Sequence, residues 1–128
     1  MDATTNTLNW FEIPTQDIER AAKFYETIFG IKMERMEMVG MPMAFFPYDP
    51  GSGKLSGALI KSDMHVPSAT DGPALYLNAN PDLNDALGKV EAAGGKIVVP
   101  KTQISEEVGY MAFFVDTEGN RMALHSQT

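Results

Sequence analysis

The chain has 128 residues, 44% apolar and 21% charged, which is the usual size of one domain and enough for an ordinary buried core. Ten basic residues against 17 acidic ones leave a net charge of −7, a field that repels a phosphate backbone and excludes nucleic acid as the expected partner. No apolar run approaches the roughly 20 residues of a membrane helix. There is no cysteine, and the start MDATTNTLNW lacks the basic and apolar stretches of a secretory leader, so disulfides and thiolate chemistry are excluded and a cytoplasmic protein is expected.

In chain order, residues 8–14 (LNWFEIP) alternate as a strand, with Phe11 and Ile13 on one face and Trp10 and Glu12 on the other. Asp17 is placed to cap a helix, because its carboxylate accepts a free backbone N–H and opposes the helix dipole. Ile18, Ala21, Ala22, Tyr25, Ile28 and Phe29 recur at helical spacing, and Gly30 suits the left-handed residue that ends a helix. Three short strands are expected near 31–38, 42–48 and 55–62, with turn chemistry at Asp49-Pro50-Gly51-Ser52-Gly53. The methionines at 33, 36, 38, 41 and 43 fall at strand spacing and read as core packing. Residues 63–73 (DMHVPSATDGP) form a polar linker in which His65 reads as a surface residue.

Beyond the linker, Leu75, Leu77 and Ala79 alternate with Tyr76, Asn78 and Asn80. Asp82 then caps a second helix with the stripe Leu83, Ala86, Leu87, Val90 and Ala93, ended by Gly94 and Gly95. Strands are expected near 96–99, 109–115 and 121–126, with a hairpin turn at Asp116-Thr117-Glu118-Gly119-Asn120. The two halves repeat each other. Asp17 to Gly30 and Asp82 to Gly95 share a spacing of 13 residues, and Met43-Ala44-Phe45-Phe46 returns as Met111-Ala112-Phe113-Phe114, at offsets of 65 and 68. The expected fold is α+β: two βαβββ modules, about 8–62 and 74–126, forming an open, cup-shaped mixed sheet with the helices outside and a ligand in the cleft.

Three stretches carry a family resemblance: Glu12-Ile13-Pro14-Thr15-Gln16-Asp17 followed by Ala22-Lys23-Phe24-Tyr25 and Ile28-Phe29-Gly30, then Lys89-Val90-Glu91-Ala92-Ala93-Gly94-Gly95-Lys96, and finally Phe114-Val115-Asp116-Thr117-Glu118-Gly119-Asn120-Arg121. Together they resemble the vicinal-oxygen-chelate superfamily of glyoxalases, bleomycin-resistance proteins and ring-cleaving dioxygenases. The resemblance implies a cup whose enzymes hold a divalent metal through four side chains, two per module, and modules commonly paired across subunits, hence a homodimer. Carried onto this sequence, the ligand positions fail. The first falls on Trp10. The second lies in the stretch 51–60, which contains no Asp, Glu, His or Gln. The third falls on Ala74, or on Leu75 in the neighbouring register, and the fourth on Ala123. No metal and no cofactor are therefore expected.

The cleft is expected to be lined by Trp10, Glu12, Tyr76, Asn78, Phe114, Arg121 and His125, with Glu12, Tyr76 and His125 as the acid–base candidates. Set beside this are plainer readings: an ion pair between Glu12 and Arg121, a solvated His125, and a Tyr76 that only packs. No phosphate loop, nucleophile elbow or HExxH pair is present. The leading expectation is a metal-free small-molecule-binding protein similar to bleomycin-resistance proteins. The alternatives are a divalent-metal-dependent lyase or dioxygenase with its site displaced to Glu12 and His125, and a metal-independent isomerase or lyase.

Overall fold

The computed structural model describes residues 1–128. Strand β1 (Trp10–Pro14) leads into helix α1 (Ile18–Phe29), followed by β2 (Glu34–Met38), β3 (Met41–Phe45) and β4 (Ser56–Ile60). The order then repeats as β5 (Tyr76–Asn78), α2 (Asn84–Leu87), β6 (Lys96–Ser105), β7 (Gly109–Val115) and β8 (Arg121–Ser126). Two mixed sheets result, ordered β1-β4-β3-β2 and β5-β8-β7-β6. In each, the first strand runs parallel to the last and the other pairs are antiparallel. This is the α+β arrangement of two βαβββ modules that the repeat indicated.

Helix α1 forms for the reasons its sequence offers. Asp17 is extended and its carboxylate accepts the Arg20 N–H at 3.1 Å, while Gly30 at φ 64° donates its N–H to the Glu26 carbonyl. Ala21, Ala22, Phe24, Tyr25 and Ile28 are buried and join one core cluster with Ile13, Ala44, Leu59, Phe114 and Leu124. Burying each of the larger side chains stabilises the fold by roughly 1.5–3 kcal/mol.

The second module departs from expectation in two places. Its helix is a single turn, because Gly88 falls inside the stripe and costs about 1 kcal/mol of helix propensity relative to Ala. From there the chain continues as tighter turns, with the Lys89 N–H donating to the Ala86 carbonyl and the Val90 N–H to that of Leu87. Leu83, Ala86, Leu87 and Val90 are buried all the same. Asp82 stands just ahead of the turn; its carboxylate accepts from Lys101 Nζ and the Asn84 N–H, each at 2.9 Å, and both hold it below the usual carboxylate range. Strand β6, expected to stop at 99, runs on through Pro100 to Ser105. It lies at a sheet edge, and its register shifts between Val99 and Thr102, where an edge strand tolerates a missing N–H. Of the methionine series, Met33 and Met43 are buried, whereas Met36 and Met38 lie exposed on β2.

Matching bonds fix the internal equivalence. The Thr15 N–H donates to the Ile60 carbonyl at 2.8 Å, and the Ala79 N–H donates to the His125 carbonyl at 2.9 Å. With the strand registers this equates Trp10 with Ala74, Glu12 with Tyr76, Ala58 with Ala123, Ile60 with His125, and Phe45-Phe46 with Phe113-Phe114.

One junction between the modules is sealed by polar bonds. The Glu118 side chain has no exposed area and accepts from the Gln16 and Asp17 N–H groups at 2.8 and 2.7 Å and from Arg20 Nε at 2.7 Å. Tyr25 donates its hydroxyl to Asp116 at 2.7 Å, and the Asn120 side-chain amide donates to the Pro14 carbonyl at 2.7 Å. Burial raises the Tyr25 phenol well above its ordinary value and raises the Asp116 carboxyl, although hydrogen bonds from Tyr25 and Asn120 oppose the latter shift.

Candidate functional site

Each sheet turns one face to the helices and leaves the other open. In the first module the open face carries Trp10, Glu12, Met43, Phe45, Ala58 and Ile60. In the second it carries Tyr76, Phe113, Ala123 and His125. Phe114 was expected in this cleft and is not there. Strand alternation turns it to the helix side, where it is fully buried, its ring centroid 5.8 Å from that of Phe24; its neighbour Phe113 takes the open face and meets Tyr76 edge-on at 5.8 Å.

The open faces do not fit a divalent metal. The internal equivalence narrows the second family position to Ala58, the counterpart of Ala123, so the four positions are Trp10, Ala58, Ala74 and Ala123. None offers a lone pair suited to Zn²⁺, Mn²⁺ or Ni²⁺; the indole nitrogen only donates. No group of three or more His, Cys, Asp and Glu side chains comes together anywhere in the chain. In place of a ligand set the first module has an aromatic cluster. Trp10 meets Phe45 edge-on at 5.3 Å and Tyr48 at 5.6 Å, above the buried side chains of Met43, Ala58 and Ile60.

The other residues read as cleft candidates are dispersed. Glu12 does not pair with Arg121. Its carboxylate lies 3.1 Å from His65 Nε2, and His65 Nδ1 lies 2.6 Å from Ser62 Oγ. The linker therefore folds back over the end of β1 and covers three-quarters of His65, which the sequence placed on the surface. Arg121 donates to the carbonyls of Thr70 at 3.3 Å and Gly72 at 2.9 Å, while its buried Nε has no partner. Glu12, His65 and Arg121 line a cavity of about 290 Å³ beneath the linker. His125 is tied elsewhere: its Nε2 lies 2.6 Å from the Val108 carbonyl and must carry the proton, since a carbonyl only accepts. Tyr76 and Asn78 line a separate, larger cavity of about 980 Å³. Nothing local in the sequence pointed to His65, because its partner is 53 residues away.

Four likenesses bear on this geometry. Residues 7–44 match the family described as bleomycin resistance protein-like N-terminal. The chain is 31% identical over 127 residues to a glyoxylase-like domain-containing protein of Didymella fabae, covering 91% of each chain. Among solved structures it is similar to a hypothetical protein from S. aureus, at 23% identity and a TM-score of 0.69 over 95% of each chain. It is also similar to a glyoxalase/bleomycin resistance protein from Albidiferax ferrireducens, at 17% identity and a TM-score of 0.66, covering 96% of this chain and 100% of that one. Fold, repeat and relative agree: the chain belongs to the vicinal-oxygen-chelate superfamily, among its glyoxalase-like members.

Proposed function

We propose that the protein is a metal-independent small-molecule-binding protein that holds its ligand against the open faces of its modules and works as a homodimer. The observation that carries this reading is the chemistry at the four family ligand positions: Trp10, Ala58, Ala74 and Ala123 supply bulk and apolar surface where a chelating site needs imidazole and carboxylate. The cluster of Trp10, Phe45 and Tyr48 gives a ligand aromatic faces to lie against. The net charge of −7 favours a ligand with cationic character. Pairing of two copies covers sheet edges and apolar faces that a lone chain leaves open. No helix is long and apolar enough to cross a membrane, in keeping with a ligand met in water.

The test has three arms. Elemental analysis after incubation with zinc, nickel, manganese and iron(II) should find no stoichiometric metal. Metal at one equivalent, lost in the Glu12→Ala, His125→Ala double variant, restores the metal-dependent lyase or dioxygenase. A thermal-shift screen should find ligands whose stabilisation disappears in Trp10→Ala; a ligand at 100 times its Kd adds about 2.7 kcal/mol. Sedimentation of a 14.0 kDa species at high micromolar concentration would remove the dimer from the reading.

A second reading, a metal-independent isomerase or lyase, rests on the Glu12–His65 contact at 3.1 Å, a carboxylate–imidazole pair within reach of a proton. It requires turnover that falls at least about a hundredfold in His65→Ala. Ligand binding without turnover leaves the first reading standing.

A further inference from the structure

The cavity of about 980 Å³ reaches from the rim of the open faces, where Tyr76 and Asn78 line it, into the layer beneath the first sheet. Phe11, Ile28, Phe29, Ile31 and Phe46 wall it, and all five belong to the layer between the first sheet and its helix. It opens between the β3–β4 loop and the segment running from β5 into α2. Its size and apolar lining are those of a small-molecule site.

The internal repeat explains why this space exists. The stripe Ala21, Ala22, Tyr25, Ile28 of α1 maps at a constant offset of 65 onto Ala86, Leu87, Val90, Ala93. Lys89 therefore stands where the first module has Phe24, and Phe46 is the counterpart of Phe114. In the sealed junction Phe24 covers Phe114 and rests on Gly95 so closely that an added Cβ would stand 2.8 Å from its ring. In the open junction Lys89 is exposed and Phe46 is left lining the cavity. The β3–β4 loop does not bridge the gap. Its polar groups bond among themselves around Asp49 and Ser52, and none bonds to residues 76–90.

The polar groups around the cavity favour an anion. Lys54 and Lys89 line it, neither forms an ion pair, and Asp85 is the one carboxylate among the lining residues. Asn78 and Asn80 present amides whose oxygens already accept backbone N–H groups, leaving their NH₂ groups as donors. A chain of net charge −7 thus concentrates two unpaired ammoniums and two amide donors around an apolar hollow.

We propose that this cavity binds a hydrophobic carboxylate, an acyl chain lying against Phe11 and Phe46 with its carboxylate between Lys54 and Lys89. Calorimetric titration of the purified protein with decanoate and with decyltrimethylammonium tests it. Decanoate should bind at one equivalent, and the cation at least about tenfold more weakly. Lys54→Glu with Lys89→Glu, both exposed and harmless to folding, should weaken decanoate about tenfold or more and erase that preference. Lys89→Phe, which restores the aromatic ring of the first module, should abolish binding while the thermal midpoint holds or rises. Trp10→Ala should leave decanoate affinity unchanged, because Trp10 does not line the cavity. Equal affinity for the two amphiphiles, indifference to both lysine variants, or loss of decanoate binding in Trp10→Ala would each overturn the proposal.

Discussion

The two module junctions are built from equivalent elements and have opposite characters. At one, the β7–β8 turn is locked to the start of α1 by Glu118, Asp116 and Asn120, and the ring of Phe24 covers Phe114. At the other, Lys89 replaces the ring, the loop makes no bond across the gap, and a cavity remains. The difference teaches that a duplicated module keeps its fold through the shared stripe and strand pairing. One residue just beyond the stripe decides whether two modules close against each other or leave room for a guest.

The sharpest way to break this comparison is at Glu118. Glu118→Ala leaves the N–H groups of Gln16 and Asp17 without their acceptor and removes the partner of Arg20. A loss of about 3 kcal/mol or more is expected, seen as a fall of about 10 °C in the thermal midpoint. A midpoint within a degree of the parent would mean that the junction does not hold the modules together.

The same residue sets a pH dependence. Burial pushes the Glu118 carboxyl up, but the Arg20 guanidinium and the N–H groups of Asp17 and Gln16 outweigh it and hold the group below its ordinary value of 4.5. A folded value below the unfolded one gives stability that is present above 4.5 and lost as pH falls through the lower folded value. Asp116 works in the other direction. Burial raises it above 3.8, so its contribution is present below that pH and is lost as pH rises through the raised value. Urea titrations at pH 7 and pH 3 should therefore show a smaller difference for Glu118→Gln than for the parent.

At the open junction, Lys89→Phe should raise stability by about 1 kcal/mol by filling part of the hollow, as cavity-filling changes commonly do. A drop in midpoint would show that Phe46 has no room for a ring above it. The smallest effect is expected at His65→Ala. Its contact with Glu12 is partly exposed, so its loss should cost under about 1 kcal/mol at pH 7. A larger loss would promote the linker from a strap to a structural element.

Much of this was legible in the residues. Helix α1, strands β7 and β8 and the modular repeat follow from periodicity and caps. The exceptions have physical causes. The second helix shortens because Gly88 interrupts a stripe that is otherwise intact, and β6 outruns Pro100 because an edge strand has no partner to miss its N–H. Phe114 was assigned to the wrong face although alternation opposes it to Ala123; counting from Ala123 across the β7–β8 pairing places Phe113, not Phe114, on the open side. The Glu12–His65 pair and the dispersal of Tyr76 and His125 depend on how the linker and loops cross the sheets, which no local pattern encodes.

Strand β2 has a consequence of another kind. It is a sheet edge with all five residues exposed, and its unpaired backbone is an invitation to another strand. Arg35 is drawn back toward α1 by Glu19 and Glu26, so the charges left at this edge are those of Glu34 and Glu37, beside the exposed Met36 and Met38. At neutral pH a second chain approaching edge to edge meets like charge and is turned away. Salt shortens the reach of that repulsion, and at high ionic strength what remains is a bare, sulfur-rich rim. Colloidal stability of the protein should then fail from this edge first, through strand addition between folded molecules and before any part of the core has opened.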